Sequence, residues 1–416
     1  MKIDWLKPLL GHPGPFATVY LDATPSDKAV ADRDVANRWR AARRSLAAQG
    51  APDDVLDSME EAARRPTWEQ GLHGRVVIAD DTGVLVDRVL HEAPTSDVAS
   101  WSNVPELLQA VRAADESVEL LVVAMDRKGA DFTRTGVGGR RYEEYTAPDD
   151  EIAKPGSPAV KRARIESRAE DSWGRNAAAI ATEVDRWVEE SAPELVVLTG
   201  DVRTVPGVRE RVGLPTAELC VEVPGGVRGG PATLGGGAAS GGAANGGAFA
   251  ERVAEALDSY RERRRERVLA ELRQGLGRDE GAVSSVDDVV AVLSRAQVAE
   301  LVLAEEYGTG NGQGNGRTLW IGPEPVHIAS DRSDLEALGV REGLEELPAA
   351  VALVRAAIAQ DAGLTFAPEG SVGVGASGLV DGVAATLRWH DEHTPHELAG
   401  AMSGDDVRLR GERTRG

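Results

Sequence analysis

The strongest constraint on the fold is a long amphipathic pattern between about residues 158 and 190. Ser157 followed by Pro158 is typical of a helix start. The apolar side chains that gather on one face at helical spacing are Ala169, Trp173, Ala177, Ile180, Val184 and Trp187. Apolar strands are predicted before and after this helix, at 119–124 and 195–199. A long helix between two buried strands indicates an α/β layer.

Strands and helices also alternate on both sides of this unit. Before it, a strand at 16–21 leads into two helices, at 27–49 and 54–65, that form a hairpin with its tip at 49–52. After it, helices and strands alternate as far as residue 389. We therefore predict a mixed α/β chain of three domains, at residues 1–118, 119–276 and 280–390, followed by a polar tail at 391–416.

Two segments are predicted to be loops. Residues 140–158 show no strong periodicity. Between 224 and 248, eleven of the 25 residues are glycine and six are alanine, a composition typical of a flexible loop. A strand is predicted at 217–223, with Cys220 as an inert core residue.

Charge and cysteine content exclude several classes of protein. The 416 residues include 47 basic and 68 acidic side chains, for a formal net charge of −21, so nucleic acid repels the chain at long range. Any RNA contact must therefore come from a local basic patch. One cysteine excludes an internal disulfide framework. No apolar run is long enough to predict a membrane span. The first residues also lack the apolar core of a signal peptide, so we expect a cytoplasmic protein.

Such a basic patch lies on the face of the long helix opposite the apolar stripe. Its members are Lys161, Arg164, Arg168 and Arg175, with Arg162 beside them. Together with the loop at 154–158, residues up to 168 form what we call the basic finger. A row of cations suits contact with a phosphate backbone. The alternative is a solvated face whose cations pair with neighbouring carboxylates such as Glu166 and Glu170.

The order of these elements resembles the middle domain of the archaeo-eukaryotic peptide-chain release factor and Pelota family. A strand leads to the turn Asp-Arg-Lys-Gly at 126–129, and a return strand and a loop lead to Pro-Gly-Ser-Pro-Ala-Val-Lys-Arg-Ala-Arg-Ile-Glu at 155–166. In that family a Gly-Gly-Gln loop precedes Ser-Ala-x-Arg-x-Ala-Arg and a long helix, and Ala-Arg at 163–164 stands at the matching place. Segments 282–290, 297–303 and 382–389 resemble the C-terminal domain of the family.

Within this family the chain is most similar to the bacterial branch, which includes ribosome hibernation factors. The resemblance implies a three-domain architecture with an α/β middle domain and an L30e-like C-terminal domain. It also implies a tRNA-like body in the ribosomal A site, with 16S and 23S rRNA and elongation factor Tu as partners. No cofactor or metal is implied.

Two departures from the family pattern affect the expected activity. The loop at 154–158 reads Lys-Pro-Gly-Ser-Pro in place of Gly-Gly-Gln, and Pro155 fixes φ and removes an amide donor. Peptidyl-tRNA hydrolysis is therefore not expected. The hairpin tip carries Gln49, Gly50 and Ala51 where termination factors carry Asn-Ile-Lys-Ser, so stop-codon reading is not expected either.

The sequence thus favours a ribosome-binding factor that is not an enzyme and acts in hibernation or stress. The residues expected to contact rRNA are Lys154, Pro155, Gly156, Ser157, Lys161, Arg162, Arg164 and Arg168. The expected decoding-tip residues are Gln49, Gly50 and Ala51. Two alternatives remain: a rescue or release factor that hydrolyses peptidyl-tRNA, and a soluble protein-binding module without RNA contact.

Three weaker patterns favour ordinary structural roles. The glycines at 373–378 match a dinucleotide fingerprint but lack its strand–helix context. His390, His393 and His396 could bind a metal, although a polar tail is the commoner explanation. The arginines at 261–267 are interleaved with Glu262 and Glu266, which favours a charged surface helix over a second RNA contact.

Overall fold

The computed structural model is a mixed α/β protein, as the sequence predicts, and its described strands form four sheets. The residues that the structure describes are 3–12, 14–24, 31–65, 67, 73–90, 93–94, 96–136, 139–148, 162–229, 243–278, 280–308, 316–368, 370–372 and 379–395. No helix within these ranges is both long enough and apolar enough to cross a bilayer.

The first unit is an antiparallel sheet with a helical hairpin on one face. A short 3-10 helix at Asp4–Gly11 precedes the strands β1 (Phe16–Asp22), β2 (Gly74–Asp80), β3 (Gly83–Leu90) and β4 (Val98–Ser102), which are arranged in the order β3-β2-β1-β4. The hairpin consists of α1 (Ala31–Ala48) and α2 (Asp53–Arg64). Trp39 and Leu46 of α1 are buried against the sheet. The helical spacing of Val35, Trp39, Ala42 and Leu46 predicts an apolar stripe for this helix, and all but the partly buried Val35 are buried.

The middle unit is a mixed sheet in the order β7-β6-β5-β8-β9, in which β5, β8 and β9 are parallel. The strands are β5 (Leu120–Asp126), β6 (Gly129–Gly136), β7 (Gly139–Thr146), β8 (Leu195–Gly200) and β9 (Cys220–Glu222). Helix α3 (Leu108–Glu116) connects the first unit to this sheet. The helices of the middle unit are α4 (Arg162–Ser191), α5 (Thr204–Arg209), α6 (Leu214–Leu219) and α7 (Ala243–Arg278). Because side chains alternate along a strand, Leu121 packs towards α4 and Leu120 towards α7.

The third unit contains two sheets, in the orders β10-β16-β11-β15 and β13-β12-β14. Its strands are β10 (Ala282–Ser284), β11 (Val298–Ala304), β12 (Thr318–Ile321), β13 (Ile328–Ala329), β14 (Glu345–Pro348), β15 (Gly363–Ala367) and β16 (Val383–Leu387). Its helices are α8 (Val286–Leu293), α9 (Glu305–Gly308), α10 (Arg332–Ala337) and α11 (Ala349–Ala359). The apolar helix α11 is almost wholly buried, because it precedes β15, which pairs in parallel with β11.

Buried side chains also connect the units. Leu6 and Leu108 of the first unit lie in one hydrophobic cluster with Leu301 of the third. Helix α7 continues from the middle unit, and its Leu269 and Leu272 pack among residues of the third. The predicted domain boundaries therefore lie within a continuous packing arrangement, and they stay predictions.

The structure corrects four sequence predictions. Part of the segment predicted as a loop at 140–158 forms β7, a partly exposed edge strand with polar side chains on both faces, which therefore shows little periodicity. The predicted strand at 217–223 begins as α6 and becomes β9. The ends of the glycine-rich segment at 224–248 are also ordered, since Gly229 donates to Asp131 and α7 begins at Ala243. In the predicted tail, Thr394 is buried and accepts a hydrogen bond from Gln297.

Candidate nucleic-acid interface

The basic finger lies mostly outside the described residues. This applies to Lys154, Pro155, Gly156, Ser157 and Lys161. Three further residues that we expect to contact rRNA lie in the first turns of α4. Their backbone is helical, and their side chains lie outside the described part of the chain: Arg162, Arg164 and Arg168. The role of the finger in RNA contact stays a prediction.

The described part of α4 divides into a buried end and a partly exposed start. Ile180, Val184 and Trp187 are buried against the sheet, and the ring of Trp187 stacks on Phe132 with centroids 5.6 Å apart. Trp187 is therefore a core residue, as predicted. Trp173 is not: it is partly exposed and lies close to two guanidinium groups. The sequence placed it in the core because it shares the apolar stripe.

The two guanidinium groups belong to Arg127 and Arg203. The Cζ of Arg127 lies 4.4 Å from the centroid of Trp173, and that of Arg203 lies 6.0 Å from it. Cations at such distances are attracted by the electron-rich ring face. We call these three residues the Arg–Trp–Arg platform. Its tryptophan lies on α4 about one and a half turns beyond Arg168, the last residue of the basic finger.

Arg127 is fixed by the turn between β5 and β6. The carboxylate of Asp126 accepts hydrogen bonds from the backbone N–H groups of Lys128 and Gly129, at 2.7 and 3.0 Å. The side-chain amide of Asn176 on α4 donates to the carbonyl oxygen of Arg127 at 2.9 Å. The turn and the helix are thus joined, and the Arg127 side chain stays about half exposed.

Arg203 is fixed at the end of the neighbouring parallel strand β8. Asp201 accepts hydrogen bonds from the backbone N–H groups of Arg203 and Thr204, at 3.0 and 3.1 Å. Its carboxylate also lies 3.6 Å from the guanidinium of Arg127. Burial alone would raise the pKa of Asp201, but these hydrogen bonds and the charge of Arg127 lower it. The carboxylate therefore stays charged and holds both halves of the platform together.

The platform lies where parallel strands β5 and β8 both end, since Met125 pairs with Gly200. Ligands of open α/β sheets bind outside this carboxyl edge. Exposed Lys128 adds a third cation, and Val202 is 84% exposed. An aromatic ring among cations can stack a nucleobase while the cations contact phosphates. The sequence signal for this site is a basic residue just after each of two neighbouring parallel strands.

The hairpin tip ends α1 in a tight turn. The N–H of Gly50 donates to the carbonyl of Ala47, and the N–H of Ala51 to that of Leu46, which is the hydrogen-bond pattern of a Schellman motif. Gly50 has φ of 98°, a conformation that glycine adopts readily. Ala51 is buried.

Gln49 joins this tip to the sheet. Its side-chain amide donates to the carbonyl of Ala99 and accepts from the N–H of Trp101, both at 2.9 Å. Gln49 thus pairs with β4 as another strand would. These contacts give the three tip residues structural roles, and contact with a decoding centre stays a prediction.

The arginines of α7 serve mainly in ion pairs. Arg264 lies 3.2 Å from Asp115 and 3.4 Å from Glu194, and Arg265 pairs with Glu262. Arg261 donates to the carbonyl of Glu116 at 2.7 Å. The structure therefore favours the charged-helix interpretation of 261–267.

The remaining candidate sites are described only in part. Burial raises the pKa of the Cys220 thiol to about 11, which suits an inert core residue. Residues 373–378 and His396 lie outside the described residues. Among the residues with described positions, no group of three metal-ligating side chains comes together, and His390 pairs with Glu280 at 3.5 Å.

Comparison with known proteins gives the middle unit a match. Residues 119–278 match the sequence model of bacterial archaeo-eukaryotic release factor family 2. Two uncharacterised proteins from two strains of Mycobacterium tuberculosis are each 28% identical to the chain over 212 residues, covering 49% of this chain and 54% of theirs. The chain thus spans about half the length of the curated relatives it matches.

Comparison with solved structures also gives matches to this chain. An archaeal translation termination factor is 12% identical, with 92% of this chain and 95% of that chain covered and a TM-score of 0.21. Archaeoglobus fulgidus Pelota is 13% identical, with 76% and 80% covered and a TM-score of 0.31. A model of ribosome-bound archaeal Pelota and ABCE1 is 12% identical, with 93% and 94% covered and a TM-score of 0.39. Superpositions this loose support no conclusion about function.

Proposed function

We propose, from the premise that residues 119–278 carry the sequence of a bacterial archaeo-eukaryotic release-factor domain, that this chain has a release-factor-like role at the ribosome. The resemblance to this family that the sequence predicts is confirmed by that match. The observation that carries the proposal is the match itself. The Arg–Trp–Arg platform supports it, because a partly exposed aromatic ring beside two cations suits RNA.

The more specific proposal is that the chain occupies the A site as a tRNA mimic. The basic finger would point towards the peptidyl-transferase centre and contact 23S rRNA, and the hairpin tip would approach 16S rRNA in the decoding centre. Occupation of the A site excludes tRNA, so the outcome would be hibernation or protection under stress. The acidic remainder of the chain suits a protein partner, for which elongation factor Tu is the proposal.

The proposed factor does not hydrolyse peptidyl-tRNA. Its loop lacks the Gly-Gly-Gln motif, and Pro155 has no N–H to offer to a reacting ester. A rescue or release factor is the alternative. In a peptide-release assay on ribosomes loaded with peptidyl-tRNA, we expect no release above the rate without factor. Robust release that is lost in a Gly156→Pro variant would establish the alternative.

Ribosome binding is tested by co-sedimentation of the full chain with 70S particles. We expect the chain to pellet with ribosomes at low salt and to dissociate as salt rises, because phosphate contacts release counterions. A chain that stays in the supernatant at low salt would refute the proposal and favour a protein-binding module.

The finger is tested with Lys161→Glu combined with Arg164→Glu. We expect weaker ribosome binding with unchanged thermal unfolding. The matched control is Arg263→Glu combined with Arg267→Glu, which reverses two exposed charges on α7. Equal binding by a folded finger variant and the wild type would remove the finger from the mechanism.

A further inference from the structure

Helix α1 carries three arginines in line on its exposed face. Arg33, Arg40 and Arg44 are all exposed, and at 100° per residue they fall within about 40° of one another around the helix. With a rise of 1.5 Å per residue, this arginine row is about 16 Å long. The row lies on the flank of the helical hairpin, away from the buried side chains of Trp39 and Leu46.

The arginine row has no ion pair among the residues that the structure describes. The other two arginines of α1 behave differently. Arg38 lies 2.7 Å from Asp22, and Arg43 lies 2.7 Å from Asp57. In a chain with a net charge of −21, carboxylates are abundant. Three aligned guanidinium groups on α1 thus have no carboxylate partner within the described ranges, although two other arginines of the same helix do.

The surroundings of the arginine row are neutral and small. The exposed side chains beside it are Asn37, Ala41, Ala47 and Ala48. Asp34 is the one acidic residue between positions 33 and 48, and it lies about 100° away from Arg33 around the helix. Among the described side chains of α1, the face that carries the row is thus lined by small or neutral groups, and the nearest described carboxylates of α2 pair with Arg43.

We infer that the arginine row docks along the sugar–phosphate backbone of a folded RNA. One guanidinium group can donate two parallel N–H hydrogen bonds to one phosphate. A straight row of such groups matches successive phosphates along one edge of an RNA helix. Helices that lie in a membrane surface typically carry large apolar side chains beside their cations, and the hot spots of protein interfaces are enriched in aromatic anchors. The face carries neither. The inference deepens the proposed function, because ribosomal RNA would supply this backbone, and it adds a contact separate from the finger.

The test uses the full chain with Arg33, Arg40 and Arg44 all changed to Gln. Binding to a fluorescent RNA duplex is measured by anisotropy across a salt series, and binding to 70S ribosomes by co-sedimentation. Loss of three phosphate contacts should lower RNA affinity roughly 100-fold near 0.1 M salt and reduce the slope of log K against log salt by about 2 to 3. Thermal unfolding should not change, because all three side chains are exposed.

A matched control removes three other exposed arginines: Arg263→Gln, Arg267→Gln and Arg341→Gln. It has the same net charge as the row variant. We expect it to keep most of the RNA affinity, and an equal loss in both variants would overturn the inference, since bulk charge would then explain it. Retention of wild-type affinity by the row variant, or a row-dependent preference for phosphatidylserine vesicles over RNA, would also overturn it.

The two measurements separate this inference from the proposed function. If the wild type binds duplex RNA through the row but does not pellet with ribosomes, the inference stands and the proposed function fails. If the wild type pellets with ribosomes and the row variant pellets and binds duplex RNA equally well, the proposed function stands and the inference fails.

Discussion

Arg264 of α7 donates a hydrogen bond to the carboxylate of Asp115 at the end of α3, across 3.2 Å. The other oxygen of that carboxylate accepts the backbone N–H of Phe366 in β15, also at 3.2 Å. One buried side chain thus connects helices of the first and middle units with a strand of the third. The contact has a consequence for stability, because an unsatisfied buried group costs more than a surface pair gains.

Asp115→Ala should lower the free energy of unfolding by about 2 kcal/mol, because it leaves the buried N–H of Phe366 without an acceptor and leaves Arg264 with Glu194 as its remaining acidic partner. The control is Arg265→Gln, which removes only a surface pair with Glu262 and should cost less than about 0.5 kcal/mol. Urea unfolding measures both. Equal costs would show that the connection adds no stability.

Asp115 should also make stability depend on pH. Burial raises the pKa of Asp115 above 3.8, although Arg264 and the N–H of Phe366 lower it in part. As pH rises from 3.8 through the raised value, the unfolded chain releases its proton first, and the folded state loses stability relative to the unfolded chain. The free energy of unfolding of the wild type, minus that of Asp115→Asn, should therefore fall across this window.

That comparison needs one further substitution. Glu300 is partly buried, which raises the pKa of its carboxyl; a hydrogen bond from Thr365 lowers this pKa in part, and the charge of Asp115 raises it further. Both chains should therefore carry Glu300→Gln, so that a single buried carboxyl titrates differently between them. A difference that stays constant from pH 4 to pH 7 would contradict the prediction.

Gly50→Ala should destabilise the hairpin through its backbone alone. No heavy atom would lie within 4 Å of the added Cβ, but φ at this position is +98°, so we expect a loss of about 1 kcal/mol. Gly174→Ala is the matched control, because that glycine lies inside α4 with similar free space. It should gain about 0.5 to 1 kcal/mol. Destabilisation of similar size in both variants would refute the backbone explanation.

Long periodic elements could be predicted from the sequence because burial on one face fixes their pattern. The stripe of α1 and the core position of Trp187 are examples. Strand β4 and helix α3 could not be predicted. Side chains of β4 are only partly buried along its length, and Gln49 provides some of its hydrogen bonds. Helix α3 is short, and its Asp115 is buried by partners distant in sequence.

The candidate interface was predictable only in part, for a similar reason. The basic finger is a local pattern, so the sequence alone reveals it. The Arg–Trp–Arg platform combines residues from two strand ends and a helix, and periodicity assigned Trp173 to the core. The two arginines come close to the ring of Trp173 because β5 and β8 pair in parallel. The spacing of these residues along the chain does not predict that pairing.

Trp173→Ala should weaken RNA binding while the chain stays folded. Base stacking on an aromatic side chain contributes about 1 to 3 kcal/mol, so affinity for a single-stranded RNA should fall by roughly 5- to 150-fold. Trp173→Phe should keep most of the affinity, because a flat ring remains between Arg127 and Arg203. Trp187→Ala is the contrasting variant, since loss of a fully buried ring costs about 3 to 5 kcal/mol of stability. Anisotropy with a labelled oligonucleotide and urea unfolding separate these effects, and unchanged RNA affinity in a folded Trp173→Ala variant would show that the platform is not an RNA site.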